Sequence, residues 1–89
     1  MTKEQAKEIK KVVKEDVGNF TVYFDSKKGE LRFTVAQVQD GSKTDINELE
    51  RINMLDILNA LAARGMRPKY HKATRRYQGF INCRYIVFE

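Results

Sequence analysis

The stretch FTVYFDSKKGELRFTVAQV, residues 20–38, decides how the chain folds. Phe20, Val22 and Phe24 alternate with Thr21 and Tyr23, and Leu31, Phe33 and Val35 alternate with Arg32 and Thr34. A period of two places each set on one face of a strand. Between the two runs, DSKKG supplies turn residues and a glycine free to take positive φ. The pattern predicts an antiparallel hairpin with one buried face. Tyr23, Thr21, Arg32 and Thr34 share its other face, which lies open or under a helix; the pattern leaves both possible.

Outward from the hairpin, residues 2–18 (TKEQAKEIKKVVKEDVG) have helical spacing: Ala6, Ile9, Val13 and Val17 form a narrow apolar stripe. Thr2 and Gln5 match a capping box, and Gly18 is a stop. Acids Glu4, Glu8, Glu15 and Asp16, set among lysines, read as a solvated face. After the loop QDGSKT, residues 46–64 predict a second helix with its stripe at Ile46, Leu49, Ile52, Leu55, Leu58 and Ala62, flanked by Met54, Ile57 and Leu61. Asp45, Glu48 and Glu50 near its start read as capping and dipole residues. Gly65 and Pro68 end it.

GFINCRYIVFE, residues 79–89, is a terminal strand that is apolar on both faces towards its end, as expected of a strand covered on both faces or placed mid-sheet. RPKYHKAT, residues 67–74, is its weaker partner by elimination, with TRRYQG, residues 74–79, as the connecting turn. The order αββαββ predicts a single α+β domain over 1–89: a four-stranded, mostly antiparallel sheet packed with two helices.

Composition narrows the function classes. An apolar fraction of 42% and a charged fraction of 33% suit a globule with one small core rather than a disordered chain. One cysteine excludes an intrachain disulfide, and the spacings of metal sites and phosphate-cradling loops are absent, so no metal or cofactor is expected. No apolar run has the length of a membrane span or a signal peptide core, and a cytoplasmic location is expected.

Charge is unevenly spread. Residues 1–56 hold ten Lys/Arg against eleven Asp/Glu, a net −1. Residues 57–89 hold seven against one, a net +6. The excess centres on RGMRPKYHKATRRYQG, residues 64–79, which contains no acid. Guanidinium groups match phosphate oxygens in pairs, and aromatic rings stack on bases. Arg64, Arg67, Lys69, Lys72, Arg75, Arg76 and Arg84 therefore offer charge, with Tyr70, His71 and Tyr77 as stacking contacts. The expected partner is nucleic acid, DNA or RNA. The alternative is an acidic surface on a larger protein such as a nucleic-acid enzyme, which this chain would regulate or inhibit. A homodimer through a strand edge is a further option. His71, the only histidine, has no acid near it in sequence, and Cys83 sits at an inward-looking strand position. Neither suggests catalysis, and the expected protein is a non-enzymatic binding module.

Overall fold

The computed structural model describes residues 1–89. Helix α1 (Lys3–Asp16) is followed by strands β1 (Val22–Asp25) and β2 (Glu30–Gln39), helix α2 (Ile46–Ala63), and strands β3 (Tyr70–Tyr77) and β4 (Ile81–Phe88). The sheet order is β1-β2-β4-β3, and every neighbouring pair is antiparallel. Both helices pack on one face, where Ala6, Ile9, Val12 and Val13 of α1 and Met54, Ile57 and Leu61 of α2 meet Leu31, Phe33, Val35, Ile86 and Phe88. The Phe33 and Phe88 rings meet edge to face at 6.0 Å. No helix is long and apolar enough to cross a membrane.

Local chemistry sets the helix ends. Thr2 accepts from the Gln5 N–H and donates its own N–H to Gln5 Oε1, completing the capping box. At α2, Asp45 accepts from the Asn47 and Glu48 N–H groups, while Glu48 turns instead to Arg51. Gly65, at φ +74, closes α2: its N–H donates to the Ala62 carbonyl, and the Met66 N–H donates to Leu61. This is the Schellman pattern, which needs a left-handed residue at that point.

Three expectations are corrected. The buried stripe of α2 is Glu50, Met54, Ile57 and Leu61, while Ile52 and Leu55 remain 43% and 46% exposed. The helix is rolled so that the flanking residues face the sheet, and a carboxylate enters the buried row because cations from β3 and β4 meet it there. The basic segment 74–77 is strand rather than turn. The ladder runs unbroken from Tyr70 opposite Phe88 to Tyr77 opposite Ile81. The reversal itself is Gln78-Gly79, both at positive φ, closed by the Phe80 N–H on the Tyr77 carbonyl. Conversely β1 stops short of Phe20 and Thr21, with one further bond from the Thr34 N–H to the Thr21 carbonyl.

A bulge interrupts the central pair. Thr34 lies opposite Tyr85 and Ala36 opposite Arg84, which leaves Val35 as the extra residue. Val35 and Ala36 are consecutive and both buried. Asn53 Nδ2 on α2 donates to the Val35 carbonyl at 2.6 Å, supplying the partner that the interrupted ladder lacks. Asn53→Ala leaves that carbonyl without its donor and is expected to cost about 1–3 kcal/mol. Urea unfolding should show a lower midpoint at unchanged slope; an unchanged midpoint would remove Asn53 from the account of the bulge.

Candidate functional site

With both helices on one face, the other face of the sheet lies open. Across it, Tyr23 stands opposite Arg32, Arg32 opposite Val87, and Val87 opposite His71. The next rows add Thr34, Tyr85 and Ala73, and after the bulge Gln37, Cys83 and Arg75, then Gln39, Ile81 and Tyr77. Cys83, Tyr85 and Val87 form a small second apolar cluster here, flanked by Ala73 and Ile81. It is shielded by layered side chains rather than by a helix. The Arg32 guanidinium lies 5.3 Å from the centre of the Tyr23 ring and 4.9 Å from that of Tyr85. Arg75 lies 4.7 Å from Tyr77. The Tyr77 and Tyr85 hydroxyls are 3.2 Å apart. Each cation over a ring contributes about 0.5–1 kcal/mol when exposed. Tyr23 and Tyr77 keep 56% and 39% of their surface in solvent, and Phe80 at the hairpin tip keeps 68%.

The cations of residues 64–84 do not share one face, because β3 alternates. His71 and Arg75 stand on the open side; Tyr70, Lys72 and Arg76 stand on the helix side, beyond the helices. Lys72 and Arg84 both reach the buried carboxylate of Glu50, at 3.2 and 3.5 Å. Arg76 is bound to Asp40. Arg64, at the end of α2, clamps Asp16 through two nitrogens and touches Glu15. The hydrogen bonds and charge of Asp16 raise the Arg64 pKa further. Arg67, Lys69 and Arg75 have no acid partner. The structure therefore brings together Arg75, Tyr77 and His71 from the basic segment and sets Arg64, Lys72, Arg76 and Arg84 elsewhere.

His71 does have carboxylates near it. Its Nδ1 lies 3.3 Å from Glu89 Oε1, and ligand atoms of Glu30, His71 and Glu89 fall within 4.8 Å of one another. These three are the side chains whose types and placement suit a divalent cation. Asp25 lines the same shallow depression, and so do Lys28 and Arg32, whose positive charges oppose a cation there. Glu30 and Glu89 converge on His71 only because β4 lies between β2 and β3. Sequence distance hides that, and hides Glu50 and Tyr85 for the same reason.

No family model, curated protein or solved structure matches the chain.

Tyr85, only 5% exposed, has its pKa pushed well up, first by burial and then by the hydrogen bond with Tyr77. A phenol that resists ionising when folded favours unfolding once the unfolded chain can release its proton. Its contribution is complete below the ordinary tyrosine value of about 10 and is lost above it. Stability measured in urea should fall by at most about 1.4 kcal/mol per pH unit above that value. Tyr85→Phe should flatten the fall; an equally steep one in the variant assigns it to other groups.

Proposed function

We propose that this protein is a cytoplasmic, non-enzymatic module that binds single-stranded nucleic acid, DNA or RNA, across the open face of its sheet. The observation that carries the reading is the layering of Arg32 and Arg75 on Tyr23, Tyr85 and Tyr77 where no helix covers the strands. A base inserted beside Tyr23 or Tyr77 gains a π surface, and the neighbouring guanidinium group is placed to take a phosphate or to stack on the base. Unstacked bases are accessible only in single strands, which is where flat aromatic sheets serve. The acids Asp25, Glu30 and Glu89 gather at one end of this face and repel a phosphate backbone. Binding is therefore centred towards Arg75, Tyr77 and the exposed Phe80. A buried, reduced Cys83 is consistent with the location.

Two or three phosphate contacts predict a slope of log K against log salt of about −1.4 to −2.1 for a single strand. Fluorescence anisotropy with labelled single-stranded DNA, single-stranded RNA and a duplex should show preference for the single strands. Tyr77→Ala should weaken binding about tenfold, within the 1–3 kcal/mol of one stacked base, and Tyr23→Ala, at the acidic end of the face, by a smaller factor. Arg75→Glu should weaken it and shallow the salt slope by about one phosphate. Equal affinity for the duplex, or indifference to both tyrosine changes, overturns the reading.

A further inference from the structure

We propose that the free edge of β3 accepts an extended acidic segment of another protein as a fifth, antiparallel strand, a surface separate from the open sheet face. The two edges of the sheet differ. β1 offers four residues, whereas β3 offers eight in unbroken register with β4. Its sequence, YHKATRRY, contains no proline and no bulge, so the edge is guarded by charge alone, that of Lys72, Arg75 and Arg76, which turns away neutral and basic strands but not an acidic one.

The ladder shows which groups face outward. Paired residues of an antiparallel ladder alternate between those that exchange both backbone bonds and those that exchange none. The Glu89 N–H donates to the Lys69 carbonyl at 2.9 Å, so the bonded series is 69, 71, 73, 75 and 77. The N–H and C=O of Tyr70, Lys72, Thr74 and Arg76 therefore point away from β4 to the outside.

Charge selects the occupant. A second copy pairing antiparallel through those outward groups has two registers that overlap most of the strand. One sets Lys72 opposite Arg76, and like charges directly opposite are destabilising. Both gather Lys72, Arg75 and Arg76 of two copies along one seam where YHKATRRY offers no acid to offset them, so the edge discourages its own copy. An acidic strand meets the reverse situation. Lys72 and Arg76 are 61% and 59% exposed at the side chain and use only part of their donor capacity on Glu50 and Asp40. Arg75 has no acid at all. Beside Tyr70, a groove of about 290 Å³ runs between β3 and α2, lined by Met54, Leu55 and Leu58. A side chain opposite Tyr70 enters it. The favoured segment thus carries acids opposite Arg76, Arg75 and Lys72 and an apolar residue opposite Tyr70.

The test uses the full chain and a labelled peptide, Glu-Glu-Thr-Val-Glu-Thr-Leu, which satisfies that pattern in the antiparallel direction. Saturable binding by anisotropy is expected. It should weaken at least tenfold when the peptide is N-methylated opposite Lys72 and Thr74, which removes edge hydrogen bonds and keeps every charge. Replacing its glutamates by lysine should abolish it. On the protein side, Thr74→Pro deletes an outward N–H that β4 does not use, so the fold should survive with a melting temperature within a few degrees while binding falls at least tenfold. Oligonucleotide binding by this variant separates the edge from the open face, since Thr74 belongs to neither Tyr/Arg layer. The proposal is overturned if the N-methylated peptide binds as well as its parent, if the peptide does not bind, or if sedimentation shows a dimer that Thr74→Pro dissociates.

Discussion

The pairing of β2 with β4 joins segments about fifty residues apart in the chain, and the remaining structure is arranged around it. Leu31 opposite Phe88 and Phe33 opposite Ile86 put four large side chains, each 2% exposed or less, under the helices. Burying such a side chain contributes about 1.5–3 kcal/mol, so the four together contribute on the order of 6–12 kcal/mol before entropy is charged. That is comparable with the whole net stability of an ordinary domain. The register is correspondingly rigid. A slip of one residue would turn Leu31 and Phe33 to water and bring Arg32 and Thr34 under α1 and α2. β1 joins this pair through β2, and β3 joins it through β4 alone.

The bulge at Val35 lets the central pair follow the helices beyond Phe33. Val35 and Ala36 are both buried although they are neighbours, which strict alternation forbids. The cost is one carbonyl removed from the ladder, and α2 supplies the compensation through Asn53. The same helix brings Glu50 to the sheet one turn earlier. A carboxylate 6% exposed is tolerable there because Lys72 and Arg84 approach it from two strands. Bulge and ion cluster together fix how α2 is rolled.

This explains what could be read from the residues. The first hairpin, both helices and the terminal strand follow from short-range periodicity, and the capping box of Thr2 and Gln5 lies within four residues. The roll of α2 does not follow. Ile52 and Leu55 look like core residues, and Glu50 like a surface one, until the cations of β3 and β4 are set beside it. Strand β3 was legible only as the partner that β4 required; its run of cations resembles a turn because nothing local signals that one side is bonded to β4. Tyr23 and Arg32 were legible as a pair on one face. That the face is open, and that Tyr85 lies between them and Tyr77, depends on strand order, which local patterns do not encode.

Strand order also decides what the positive charge of residues 57–89 can do. Confined to one face, a net +6 would form a strong anion patch. Alternation along β3 instead divides it, with Arg75 to one side and Lys72 and Arg76 to the other. Glu50 then holds Lys72 and Arg84, Asp40 holds Arg76 and Asp16 holds Arg64, all at short range. Beyond the Debye length of about 8 Å at physiological salt, a held cation and its acid largely cancel. Long-range attraction for nucleic acid is therefore modest, and recognition on the open face must come from contact: rings, guanidinium planes and the gaps between them. At the edge the balance differs, because an incoming strand lies within a few ångströms of exposed ammonium and guanidinium groups and makes backbone hydrogen bonds as well. The division of charge that weakens β3 as a phosphate patch is what lets both sides of an added strand meet a cation.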